Sequence, residues 1–386
     1  MYLYYFTPRD LQVARVDRQC IVRFCEAFGK YFDKLFLISV KIKLAEEEIK
    51  SDDLYQLYGV KRTFEFVQLP VNIYQKNPKK FDALKILWAY SVFAFRNIRK
   101  CKEETYIYLK NYAYSIPFLF LKFFNKKIKI IFEIHNPPKK YYQAYLMKKF
   151  DKIIANSNVL AKELMETYQG ISYKILGTHQ GINLNYVNSI RIPKYEARAR
   201  LNLPKDKIIV LYTGKVYYGY KEIDYYISTA KLLSDKYLVL IVGGRKDHVD
   251  RIRNENENAG NLRFISFVPP NEIYYYHFAA DILLIYYPSG FILNNYRSPG
   301  KIFDYMASGN PIIAADYPVL EEILESNKEA LFVEKDNPAK LASKIDELAR
   351  DTERRKILAQ NAMEKVQRFT WEKRAEGIIQ FINHKR

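Results

Sequence analysis

The sequence predicts an α/β protein of two doubly wound parallel sheets, and three observations carry that expectation. Short apolar runs alternate with longer stretches whose apolar residues recur at helical spacing. The alternation occurs twice. Between the two series lies a polar, proline-containing segment, "NSIRIPKYEARARLNLPKDK", near residues 187 to 206. Short apolar strands separated by amphipathic helices are what parallel strands joined by right-handed crossovers require.

In chain order the first series reads as the strand "YLYYFT", the helix "DRQCIVRFCEAFGKYF", the strands "KLFLIS" and "FEFVQL", the helix around "DALKILWAYSVFAFRNI", and the strands "TYIYL", "IKIIFEI" and "KIIAN". The second supplies the strands "KIIVLYTG", "YLVLIVGG", "LRFISF", "ADILLIYY" and "NPIIAAD". Before the last of these, "SPGKIFDYMASGN" reads as a helix with Ser298 as N-cap and Pro299 at the first helical position. Gly309, followed by Asn310-Pro311, stops it after about three turns. The ending "TWEKRAEGIIQFINHKR" is a last helix, either a plain C-terminal one or one that crosses back onto the first domain. The expected organisation is residues 1–187, residues 188–368, and a terminal helix over 369–386.

Length and composition bound the class. A chain of 386 residues suggests two or three domains, and 49% hydrophobic with 27% charged residues is ordinary for a globular protein. The excesses are 34 Tyr, 24 Phe, and 62 Lys and Arg against 43 Asp and Glu, a formal net charge of +19. That surplus favours anionic partners: nucleic acid, nucleotide phosphates or an anionic membrane. Cys20, Cys25 and Cys101 have neither disulfide-framework nor zinc spacing, which suits a reducing cytoplasm. The N-terminus lacks the order of a signal peptide. The apolar stretches "ALKILWAYSVFAF" and "YAYSIPFLFLKFF" are broken by Lys85 and Lys122, so no spanning helix is expected.

Chemistry is sought where a doubly wound sheet binds ligands, beyond the carboxyl ends of its strands, with helix N-termini pointing free N–H groups at the crevice. The turn Ser298-Pro299-Gly300-Lys301 offers amides, a hydroxyl and a cation, and Asp304 follows one turn on. Their backbones lie roughly 4.5 Å apart along the axis, a spacing that fits a diphosphate on Lys301 and ribose hydroxyls on Asp304. It equally fits a surface helix with an i,i+3 ion pair. In "LYTGKVYYGYKEID", Gly214 and Lys215 follow a strand and Lys221 opens a helix. Two cations there could neutralise a diphosphate leaving group, or simply be solvated lysines. Gly243 and Gly244 form a strand-end turn where backbone can approach a ligand. His135, one of five histidines, ends the strand in "IIFEIHNPP" and reads as a site residue or a structural hydrogen bonder. No catalytic triad order, HExxH, P-loop or Asp-x-Asp pair is seen, so no metal and no cofactor are expected.

Taken together, "RSPGKIFDYMASGNPIIAADYPVLEEIL", "YTGKVYYGYKEID", "DILLIYYP" and "FTWEKRAEGIIQFI" resemble family 4 of the glycosyltransferases, of the GT-B fold. The likeness covers most of the chain. "FTPRDLQVARVDRQCIVRFCEAFGK" is similar to the family's first loop and helix, and "IYLKNYAYSIP", "IFEIHN", "KIIANSNVL" and "HQGIN" follow in the family's order.

The resemblance implies two Rossmann-like domains facing across a cleft, the first for the acceptor and the second for the donor, with the last helix crossing back. It implies sugar transfer from a nucleotide-diphosphate donor, in UDP or GDP form, with retention and without a metal. By that resemblance Lys215 and Lys221 hold the diphosphate, Ser298 to Lys301 lie beside the phosphates, Asp304 binds ribose, and His135 lies near the donor sugar. Two departures stand out. Tyr296 occupies the position of the first residue of the family's acidic pair, and the first loop lacks the common Gly-Gly, losses that some relatives share.

The expected partners are a nucleotide sugar and a glycan, lipid-linked or protein-linked acceptor. A phosphorylase or epimerase on the same fold, and a basic aromatic-rich nucleic-acid binder, are the rival readings; the aromatics form no recognisable nucleic-acid module. Lys139, Lys140, Tyr141, Tyr142, Lys148 and Lys149 form a basic aromatic stretch suited to an anionic membrane surface, or to solvent. The expected location is the cytoplasm, at the periphery of a membrane.

Overall fold

A computed structural model describes residues 1–12, 16–43, 51–74, 80–287, 289–290, 295–296 and 298–384. The chain divides into two units, Met1–Gly181 with Trp371–Arg386, and Ile182–Thr370.

Among the described residues the first unit holds a seven-stranded parallel sheet. Its strands are β1 (Tyr2–Phe6), β2 (Lys34–Lys43), β3 (Glu65–Tyr74), β4 (Thr105–Leu109), β5 (Ile128–Ile134), β6 (Lys152–Ala155) and β7 (Ile175–Gly177), in the order β3-β2-β1-β4-β5-β6-β7. The order reverses between β1 and β4. Successive side chains of a strand point to opposite faces, and β1 shows it. Tyr5 meets Phe24 of the helix Val16–Phe28 on one face. Phe6 meets Tyr90 and Phe93 of the helix Lys80–Asn97 and Phe118 of the helix Ile116–Phe124 on the other.

The helix Trp371–Asn383 packs beside Val16–Phe28, with Trp371 against Phe24 and with Ala375 and Ile378 fully buried. Its Arg374 guanidinium donates to the carbonyls of Thr178 and His179 and pairs with the buried Glu133 at 3.3 Å.

The second unit holds β8 (Ile208–Thr213), β9 (Tyr237–Val242), β10 (Leu262–Ile265), β11 (Ile282–Ile285), β12 (Ile312–Ala315) and β13 (Ala330–Val333), all parallel, in the order β10-β9-β8-β11-β12-β13. Here the reversal lies between β8 and β11. Ile312 and Ile313 of "IIAA" are fully buried, each worth about 1.5–3 kcal/mol relative to exposure. The tyrosine excess is in part core material: Tyr212, Tyr226, Tyr286 and Tyr305 are buried, and the Tyr226 hydroxyl donates to the carbonyl of Tyr286 at 2.8 Å.

Three expectations need correction. The first boundary falls at 181/182 and not at 187/188, because Ile182 already bridges to Thr370 and its N–H donates to Phe369. The polar segment beyond it is docked on the second unit, through Lys194 and Arg198 on Asp281 at 2.8 and 2.5 Å. The terminal helix starts at Trp371 and not at 369. Strands β7 and β13 were absent from the sequence reading: both are short edge strands, and runs of three or four residues carry too little periodicity to separate them from loop. Residues 13–15 of the first loop and residue 297 lie outside the described residues.

Candidate functional site

The point between β8 and β11 is where a doubly wound sheet opens a crevice, since the crossovers leave toward opposite edges there. Two helices begin beside it: Lys221–Leu232 after β8, and Gly300–Ser308 after β11. The second starts one residue later than the sequence reading. Pro299, with ψ 117, is still extended and takes the N-cap position, and Ser298 is buried just before it. At the far end Gly309 adopts φ 82, and the Arg191 guanidinium donates to the carbonyls of Ser308 and Ala307 at 2.9 and 2.5 Å. The helix is therefore held at its C-terminus by Arg191, and it begins after β11 beside the switch point.

Three glycines let backbone close in on the same place. Gly243, φ 131, sits so tightly on the loop after β8 that a Cβ would overlap the carbonyl oxygen of Gly214. Gly244, φ 83, stands likewise against the carbonyl oxygen of Val216. A Cβ on Gly214 itself would lie 2.6 Å from the Tyr212 hydroxyl and 2.8 Å from Lys301 Nζ. The structure thus brings Gly214, Gly243, Gly244 and Lys301 together.

Lys301 Nζ lies 4.1 Å from the centroid of the Tyr212 ring and 4.0 Å from Oε1 of the buried Glu222. Lys215 and Lys221 are exposed and make no ion pair among the described residues. A cation with a carboxylate behind it is positioned, whereas exposed cations at a helix start are open to an anion.

Asp304 accepts a hydrogen bond from the Tyr274 hydroxyl on Oδ1 at 2.8 Å; Oδ2 accepts none among the described residues. Burial pushes its carboxyl up to about 6, against the help of Tyr274. Behind the helix, Thr213 N–H donates to the Tyr305 hydroxyl at 2.8 Å, and the Thr213 hydroxyl lies 3.2 Å from His277 Nε2. Burial, with Lys301 nearby, holds His277 down at about 3, so that imidazole is neutral. Glu222, Tyr212, Tyr274 and His277 were missed by sequence reasoning. Glu222 adjoins Lys221 and was the nearest available signal, while Tyr274 and His277 sit in "IYYYHF", which reads simply as core.

His135 belongs to the first unit, at the carboxyl edge of β5. Its Nε2 is 2.8 Å from Glu133 Oε1, which also takes Lys110 Nζ at 2.8 Å. The Tyr108 hydroxyl donates to Oε2 at 2.5 Å. Burial alone would raise the Glu133 carboxyl, but Lys110, Arg374 and His135 hold it well below the usual range. An ionised carboxylate only accepts, so Nε2 carries a proton, and a neutral His135 presents Nδ1 as an acceptor.

Residues 193–365 match the family model described as Glycosyl transferases group 1. The match falls within the second unit. The chain has the GT-B fold: it is similar to HepE of Anabaena, solved in complex with UDP and glucose, at TM-score 0.74 and 15% identity over 100% of both chains. A D-inositol 3-phosphate glycosyltransferase of Thermobispora bispora is 26% identical over 236 residues, 57% of this chain and 53% of that protein. Its counterpart in Streptomyces bingchenggensis is 28% identical over 241 residues, 58% of this chain and 51% of that protein. The chain spans about half the length of the curated relatives it matches. The matched range contains Lys215, Lys221, Lys301 and Asp304, but His135 lies outside it.

Proposed function

We propose that this protein is a glycosyltransferase that moves a sugar from a nucleoside-diphosphate donor, with retention, to a glycan, lipid-linked or protein-linked hydroxyl. The single observation that carries the reading is the pair of helix N-termini, at Lys221 and Gly300, flanking the β8/β11 switch point, with Lys215 and Lys221 exposed and in no ion pair among the described residues and Lys301 positioned. In the reaction the bond between the anomeric carbon and the diphosphate oxygen breaks, and its electron pair leaves with the diphosphate. The acceptor oxygen bonds to the anomeric carbon and its proton passes to the leaving group. Preorganised cations and amides stabilise the charge that grows on the diphosphate, a role for which no metal is required by this proposal. UDP is the favoured nucleotide, since HepE is solved with UDP and glucose. His135, oriented by Glu133, is assigned to the donor sugar on the resemblance alone. We place the reaction in a reducing cytoplasm, which suits three cysteines present as free thiols.

A panel of UDP-, GDP- and ADP-sugars tests the reading by thermal unfolding and then by transfer. A bound donor at 100 times its dissociation constant adds about 2.7 kcal/mol of stability. UDP-sugars are expected to protect; silence across the panel, with tight RNA binding, would establish the nucleic-acid reading instead.

The proposed ribose contact of Asp304 has its own signature. Asp304→Asn should weaken UDP binding about tenfold or more, the scale of a hydrogen bond to a charged group. Stability should hold or rise. A carboxyl whose pKa is higher in the folded state costs stability as pH climbs from 3.8 to about 6, and the amide escapes that cost. Calorimetric affinity of the unaltered protein should also fall more steeply below about pH 6 than that of the variant. Parallel pH profiles would remove Asp304 from the nucleotide site.

A further inference from the structure

The first unit carries an apolar surface that its own fold does not cover. The helix Ile116–Phe124, "IPFLFLKFF", turns Phe118 and Leu121 into the sheet, but Ile116, Phe120, Phe123 and Phe124 face outward at the spacing of one helical face. Phe120, Phe123 and Phe124 are 62%, 71% and 69% exposed, and their rings touch at centroid distances of 5.0 and 5.2 Å. The helix Lys80–Asn97 packs beside it on the same face of the sheet, both resting on Phe6. That helix likewise turns Leu84, Trp88 and Phe95 outward, with Trp88 70% exposed. Single exposed apolar residues need no explanation, whereas clustered large ones mark a contact surface.

The charge around the patch says what kind of contact. Residues 84–102 and 116–127 contain no carboxylate. The carboxamide of Asn125 donates to the carbonyls of Arg99 and Cys101 at 3.4 and 3.0 Å, which ties the ends of the two helices together and sets Arg99 and Lys100 beside Lys126 and Lys127. The Arg99 guanidinium lies 4.1 Å from the Phe95 ring centroid and Lys126 Nζ 5.4 Å from that of Phe123, so the cations fringe the aromatic surface. Lys122 is neutralised by Asp151 at 2.6 Å, and its Nζ also reaches the carbonyl of Lys149 at 3.2 Å, which joins this face to the helix Tyr141–Lys149. Tyr141, Tyr142, Lys148 and Lys149 there are exposed, as are Lys139 and Lys140 just before it.

We propose that this face docks on an anionic lipid bilayer, with Phe120, Phe123, Phe124 and Trp88 entering the interfacial zone and Arg99, Lys126 and Lys127 on the headgroups. Phenylalanine has no group to satisfy in a polar partner, and Arg99, Lys126 and Lys127, exposed and in no ion pair among the described residues, complement anionic headgroups. Among the described residues no helix is long and apolar enough to cross a membrane, and the contact proposed is a peripheral one. The inference is independent of the transferase reading, and vesicle binding is measured without a substrate.

Co-sedimentation of the full chain with phosphatidylglycerol-containing and with pure phosphatidylcholine vesicles, at low and high salt, is the test. Binding should require the anionic lipid and weaken with salt. It should drop at least about tenfold in F120S/F123S/F124S and in R99E/K126E/K127E. The substituted side chains are exposed, and circular dichroism and melting confirm that the variants fold. Absence of binding to anionic vesicles at low salt overturns the proposal, as does binding that the triple Phe variant leaves intact. Analytical ultracentrifugation covers the remaining occupant: a dimer that F120S/F123S/F124S dissociates, without vesicle binding, would make the face an interface between copies of this chain.

Discussion

Lys221→Ala is expected to lower turnover by about 10²-fold or more, the loss typical of removing one preorganised electrostatic stabiliser. The side chain is exposed and makes no ion pair among the described residues, so stability should move by no more than about 0.5 kcal/mol. The combination is what separates a diphosphate contact from a solvated lysine, because a solvated lysine would change neither quantity. Lys221→Arg keeps the charge and should recover part of the rate. A folded Lys221→Ala protein that transfers sugar at the unaltered rate would remove this residue from the reaction.

Gly243→Ala should damage both the fold and the site. At φ 131 an L side chain is strained, which costs of order 1–3 kcal/mol. The added methyl would also overlap the carbonyl oxygen of Gly214, so the loop carrying Gly214 and Lys215 has to move. The melting temperature should fall, and nucleotide affinity with it, by about tenfold or more at temperatures where the protein is still folded. Gly260→Ala is the control, since a Cβ there meets nothing within 4 Å. Equal, small effects at the two glycines would show that the close approach at Gly243 is not maintained in solution.

Much of the candidate site could be read from the chain because its parts are local. A glycine after an apolar strand, a lysine opening a helix, and a Ser-Pro-Gly-Lys turn before an amphipathic run each belong to one short segment, and the sheet topology then puts such segments at one edge. The partners were not legible. Glu222 meets Lys301 across 79 positions of sequence, and Tyr274 holds Asp304 from another helix. Nothing in either segment marks the partner. The i,i+3 spacing suggested Lys301 and Asp304 as a pair, whereas the structure sets Lys301 against Glu222 and Tyr212, and Asp304 against Tyr274.

By itself the sequence determined the alternation of buried strands and amphipathic helices, its repetition in two units, and the glycines and lysines set at strand ends, because periodicity and turn chemistry act over a few residues. Only the tertiary structure decided that Gly243 lies against Gly214, that Arg374 returns to Glu133 in the first unit, and that "IPFLFLKFF" leaves three of its four phenylalanines uncovered. Hydropathy is the same for a buried and an exposed apolar face. Which of them a helix presents depends on the neighbours that the crossovers bring to it, and those contacts are long-range in sequence.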